Sequence, residues 1–141
     1  MENFGIIGLA ASLSLAAIGS GLGAGAAGMS AVGAWKKCFA QNRPAPFMLI
    51  AFVGAPLTQT IYGMILMNAL RSVSSNELQL GAGALGGLAI GVSALFQGKA
   101  GASASDALGE TGKGFANYII VLGLIETVAL FVMVFLLGII G

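Results

Sequence analysis

The stretch YIIVLGLIETVALFVMVFLL, residues 118–137, carries a single charged residue, Glu126. A helix needs about 20 apolar residues to cross the ~30 Å hydrocarbon core of a bilayer. A membrane strand would be about 10 residues long with alternating polarity, and no alternation is present. Lipid offers backbone groups no partner outside their own helix, so this stretch reads as a transmembrane helix. Three further runs read the same way: Phe4–Ala34, Phe47–Leu70, and Leu78–Leu108, interrupted only by Lys99 and Asp106. With Phe115–Ile140 they predict an all-α membrane protein of four transmembrane helices in one membrane domain over residues 1–141. The opening Met-Glu-Asn-Phe lacks a basic n-region and a small-residue cleavage pattern. The first run is therefore expected to be a permanent helix.

Composition agrees. Hydrophobic residues make up 57% of the 141 residues and charged residues 8%, against roughly 25% charged in a soluble domain. Too little charge is present to cover a water-exposed surface, which excludes a soluble globular enzyme. The net charge of +1 excludes a basic nucleic-acid binder. There is no histidine for catalysis or metal ligation, and the single Cys38 cannot form an internal disulfide. No G-x-x-x-x-G-K-[ST] phosphate loop exists, so the chain is not an ATPase by itself.

Short polar segments join the helices. Trp35–Pro46 contains Lys36, Lys37 and Arg43, and its Pro44 and Pro46 oppose helix propagation. Gly109–Gly114 contains Lys113, while Arg71–Glu77 contains only Arg71. The positive-inside rule puts the first two loops in the cytoplasm and both termini outside, in a multi-pass protein of the cell membrane. The first and third helices are rich in small residues (Ile18–Gly28, Gly81–Gly91) and the second and fourth are bulky. This pattern suggests a duplicated hairpin of parallel topology.

Gly19, Gly21, Gly23, Gly25 and Gly28 contain a formal G-x-G-x-x-G, but no strand precedes it and no acidic residue lies about 20 positions further on. They are expected to serve close helix packing. Such density fits a narrow inner ring of helices built from many copies.

Glu126 lies mid-bilayer, where an ionised carboxylate costs about 2.5–3.5 kcal/mol even on insertion scales, so a function is the default expectation. At ~1.5 Å per residue, Glu126, 11 residues past Phe115, lies about 16 Å deep. Gln59, 12 past Phe47, lies about 18 Å deep, and Gln97, 11 before Leu108, about 16 Å. Ala55, Thr58, Gln59 and Tyr62 share one helix face by their i, i+3, i+4, i+7 spacing. Pro56 frees an upstream carbonyl and predicts a kink. A carboxylate, two amide oxygens, a hydroxyl and a carbonyl are hard ligands for a monovalent cation. A proton needs only the glutamate and an acceptor or two, so the extra oxygens favour Na+, with H+ the alternative.

At PLTQTIYG (Pro56–Gly63), FQGK (Phe96–Lys99) and LIETVALFVMVF (Leu124–Phe135) the chain resembles the proteolipid subunit of V-type rotary ATPases, in its bacterial sodium-pumping form, called the K or c subunit. The resemblance covers essentially the whole chain. It implies a homo-oligomeric ring in the lipid bilayer, turned against a stator subunit that carries a cation, expected to be Arg. The ring is fixed to a central stalk, which the Trp35–Pro46 loop is expected to contact, a merely solvated basic loop being the alternative. It also implies a Na+ site made of Glu126, Gln59, Gln97, Thr58 and the Ala55 carbonyl, with Tyr62 bonding the glutamate. Alignment of Thr58 with Thr127 sets Leu57 opposite Glu126, leaving one ion per four helices, a count that favours ATP-driven pumping over synthesis. Lys99, also present in the family motif, would snorkel or face the ring interior.

Overall fold

The computed structural model describes residues 3–141, so Met1 and Glu2, the start of the N-terminal segment read above, lie outside the described residues. Among the described residues every regular element is helical: α1 (Gly5–Ala40), α2 (Leu49–Gly54), a 3-10 turn (Ala55–Leu57), α3 (Thr58–Leu70), α4 (Asn76–Thr111) and α5 (Phe115–Ile140). α2, the turn and α3 form one span, Leu49–Leu70, so four helices are long and apolar enough to cross a membrane.

Two helix ends differ from expectation. α1 runs six residues beyond Ala34, through Trp35–Ala40, because WKKCFA holds no breaker. The chain turns only at Asn42, in the left-handed region at φ 50°, where Asn is tolerated. α4 continues through Gly109 to Thr111 and stops at Gly112, whose φ of 67° suits a residue without a Cβ. At the other end Ser75 caps α4: its Oγ accepts from the Leu78 N–H at 3.1 Å. Gln79 Nε2 then donates to the Leu70 and Val73 carbonyls at 2.9 and 2.8 Å, tying down the end of α3.

The small-residue helices α1 and α4 pack side by side and parallel. A Cβ added at Gly83 would strike the Gly8 backbone, one at Gly98 the Gly23 backbone, and one at Gly109 the Ala34 Cβ. Each pair is 75 residues apart, so the two helices hold one register throughout. In lipid no hydrophobic force joins helices, and close backbone approach supplies the dispersion contact instead. Both helices are 36 residues long, about 54 Å. They extend past the second span together, joined there by a Cys38 Sγ–Gly109 carbonyl contact (3.4 Å) and a Lys37–Glu110 ion pair (3.4 Å), while Ser30 Oγ donates to the Ala102 carbonyl (2.6 Å) level with the start of that span. Trp35 Nε1 donates to the Pro46 carbonyl at 2.8 Å, folding the loop back onto α1.

α3 lies against α1, and α5 against α4 and α3. Two apolar clusters result. One gathers Leu66, Leu70, Ile90, Ala129 and Met133; the other gathers Leu49, Phe52, Leu108 and Leu122. The polar residues of the candidate site lie between them.

Candidate ion-binding site

Pro56 starts the site. It has no N–H to donate, and the helix tightens there into the 3-10 turn Ala55–Leu57. The Ala55 carbonyl is directed at Thr58, whose Oγ1 lies 3.0 Å from it. The next turn of α3 presents Gln59 and Tyr62. From α4 comes Gln97, and from α5 comes Glu126.

These side chains meet. Glu126 Oε1 accepts from Tyr62 Oη and from Thr58 Oγ1, both at 2.7 Å. Glu126 Oε2 accepts from Gln97 Nε2 at 3.1 Å, and the same amide donates to the Leu122 carbonyl at 3.0 Å. Gln59 Nε2 donates to Gln97 Oε1 at 2.8 Å. Both glutamines are fully buried, whereas Glu126 and Tyr62 are half-buried near the outer side of α5. The structure thus brings together all six residues singled out in the sequence.

Thr58 has the decisive geometry. Its hydroxyl has one proton, yet three oxygens lie within 3.0 Å of it: the Ala55 carbonyl, Gln59 Oε1 and Glu126 Oε1. A hydroxyl can donate to only one of them. Hydrogen bonding inside the protein leaves this cluster rich in lone pairs and short of protons, a balance that a cation corrects.

Sequence reading missed Ser93. Its Oγ donates to the Ile125 carbonyl at 2.9 Å and fixes the α5 turn that carries Glu126. Its spacing of four residues from Gln97 on α4 was the available signal. Thr127 turns away, donating to the Leu124 carbonyl at 2.6 Å. Lys99 is exposed on another face of α4, its Nζ 5.2 Å from the Phe96 ring centroid.

The glycines assigned together to ring packing divide. Gly19 and Gly23 pack within the chain, against the Gly91 and Ala94 carbonyls of α4. Gly28 makes only ordinary contact, with Val53. Gly21 and Gly25 have nothing within 4 Å of an added Cβ. A helix of 3.6 residues per turn cannot aim positions 19, 21, 23 and 25 at one neighbour.

The second hairpin holds Gln97, Glu126 and the α4–α5 crossing in one continuous segment. Residues 80–139 match the family model for the C subunit of ATP synthase. That family comprises proteolipid subunits of the F- and V-type rotary ATPases, membrane rotor subunits that are not catalytic alone, and the match spans 60 of this chain's 141 residues. Such proteolipids form homo-oligomeric rings and carry a coupling ion across the membrane. The match includes Gln97 and Glu126 but stops short of Ala55, Thr58, Gln59 and Tyr62. The comparison with curated proteins returned no match.

Proposed function

We propose that the chain is the ring proteolipid of a V-type, sodium-translocating ATPase, binding one Na+ per copy. The ligands are Glu126, Gln59 Oε1, Gln97 Oε1, Thr58 Oγ1 and the Ala55 carbonyl. Tyr62 stands behind them and holds the carboxylate. The observation that carries this reading is the Thr58 hydroxyl, facing three oxygens with one proton. A sodium ion takes lone pairs from all of these oxygens at once, and the single charge of Glu126 balances it. The loaded site is neutral and passes lipid at low cost.

Release needs a competitor for the carboxylate. A stator cation, expected to be Arg, pairs with Glu126, removes the charge from the ligand set, and the ion leaves. ATP hydrolysis in a soluble sector turns the ring through a stalk seated on the Trp35–Pro46 end, which the Lys and Arg balance places in the cytoplasm with both termini outside. Gly21 and Gly25, open on α1, receive the neighbouring copy.

The test is carbodiimide labelling of Glu126 in the purified ring, at fixed pH and ionic strength. The reagent attacks the protonated carboxyl, so Na+ should protect while a matched salt of a large cation should not. Labelling that ignores Na+ and falls only as pH rises would make the cargo H+. Gln97→Ala should raise the Na+ concentration for half-protection about threefold to tenfold, the value of one hydrogen-bonding group, and leave the ring assembled. Since Gln97 also donates to Glu126 and Leu122, the same variant should raise the carboxylate's mobility in spin-label or NMR measurements.

A further inference from the structure

Two buried hydroxyls have no hydrogen-bond partner among the described residues: Ser20 Oγ on α1 and Ser105 Oγ on α4. Ser20 is 1% exposed and Ser105 fully buried. A buried hydroxyl without a partner costs free energy, and a helical serine ordinarily bonds back to a carbonyl of its own preceding turn, as Ser12 does to Leu9 at 2.8 Å. Ser20 does not.

Its place is fixed by its neighbours. α1 and α3 are antiparallel and closely packed. A Cβ at Gly23 would stand 3.1 Å from Pro56 Cβ, and one at Gly63 would stand 2.6 Å from Ala16 Cβ. Pro56, Gln59 and Gly63 lie on one face of the second span, and Gly23, Ser20 and Ala16 on one face of α1. In this register Ser20 falls opposite Gln59. Gln59 is fully buried, and the donor nearest its Oε1 is Thr58 Oγ1 at 3.0 Å, a proton shared among three claimants. A donor without an acceptor thus faces an acceptor without an assured donor, at the level of the site.

We propose that Ser20 is a positioning residue for the ion-free site: when the cation leaves, its hydroxyl donates to Gln59 and keeps that amide from standing unpaired. With the cation bound, Gln59 Oε1 is drawn to the ion and Ser20 is left idle. Ser20 therefore stabilises the empty site relative to the loaded one. It weakens binding and eases release at the stator. The inference rests on the sodium reading of the site.

The test uses the intact ring and the Na+ protection of Glu126. Ser20→Ala should lower the half-protecting Na+ concentration about threefold to tenfold, the equivalent of one neutral hydrogen bond. Ser20→Cys, close in size and a poor donor, should do the same, which separates the effect from loosened packing. Ser105→Ala is the control. It removes the other unpartnered hydroxyl, eight residues beyond Gln97 and about 12 Å along α4, and should leave the midpoint unchanged. An unchanged or raised midpoint in both Ser20 variants, with the wild type protected, overturns the Ser20 role and leaves the sodium site standing. A wild type that Na+ does not protect overturns both. A shift equal to that of Ser105→Ala makes the effect one of general packing and overturns the role as well.

Discussion

Glu126→Gln will leave the ring assembled and abolish ion transport. The amide matches the carboxyl in shape, and its oxygen can still accept from Tyr62 and Thr58, which hold Oε1 at 2.7 Å. The other end loses one bond. An NH2 group then faces Gln97 Nε2, which donates to Oε2 at 3.1 Å, and Gln97 must turn or give up that partner. This costs about 1 kcal/mol, too little to disrupt a seam built along two 36-residue helices. The ion loses far more. Glu126 is the only acidic group in α5, and contacts to charged partners are worth about 1.5–3 kcal/mol each. Affinity should fall at least tenfold to hundredfold. In the proposed mechanism release fails too, because the expected stator cation has nothing to pair with. Reconstituted complex should show Na+ uptake at background, with the ring band intact on a gel. Normal uptake by this variant would remove Glu126 from the mechanism.

The second large effect separates two glycines one helical half-turn apart. Gly23→Leu should prevent the chain from folding, whereas Gly21→Leu should leave the chain folded and block ring assembly. At Gly23 the first atom of any side chain already collides with the Ala94 carbonyl. That is backbone, which cannot give way unless α1 and α4 part along their length. Overpacking costs about 1–3 kcal/mol and occasionally more, and a whole leucine set against backbone belongs to the costly end. At Gly21 an added Cβ meets nothing, and loss of a helical glycine even favours the helix by about 1 kcal/mol. The bulk is felt only by whatever covers that face. Size-exclusion chromatography in mild detergent with circular dichroism reads both: helical monomer for Gly21→Leu, loss of helix or no recoverable protein for Gly23→Leu. Intact rings from Gly21→Leu would show that this face of α1 looks into lipid or the ring centre.

The four helices were legible because lipid imposes one demand on the backbone, and the apolar runs answer it without reference to any neighbour. The level of Glu126, Gln59 and Gln97 was legible for the same reason: rise per residue turns position into depth, and the three side chains do bond to one another. Less local features stayed hidden. Which glycines face α4 depends on a register between helices that the sequence of one helix does not state. The six extra residues of α1 depend on the absence of a breaker before Asn42 and on contacts such as Cys38 with Gly109. Ser93 and Ser20 escaped notice because serine is common in membrane helices. Only a partner, or its absence, distinguishes one serine from another.

The paired overhang of α1 and α4 has a mechanical consequence. Contacts at Cys38–Gly109 and Lys37–Glu110 clasp the two helices where they outrun the second span. Two rods fastened along their length resist bending much more than the same rods free, since neither can slide past the other. Repeated around the proposed ring, these twin posts would make a rigid collar. In the rotor proposed above, elastic twist would be stored in whatever is bolted to the collar, and each ion step would reach the stalk with little slack.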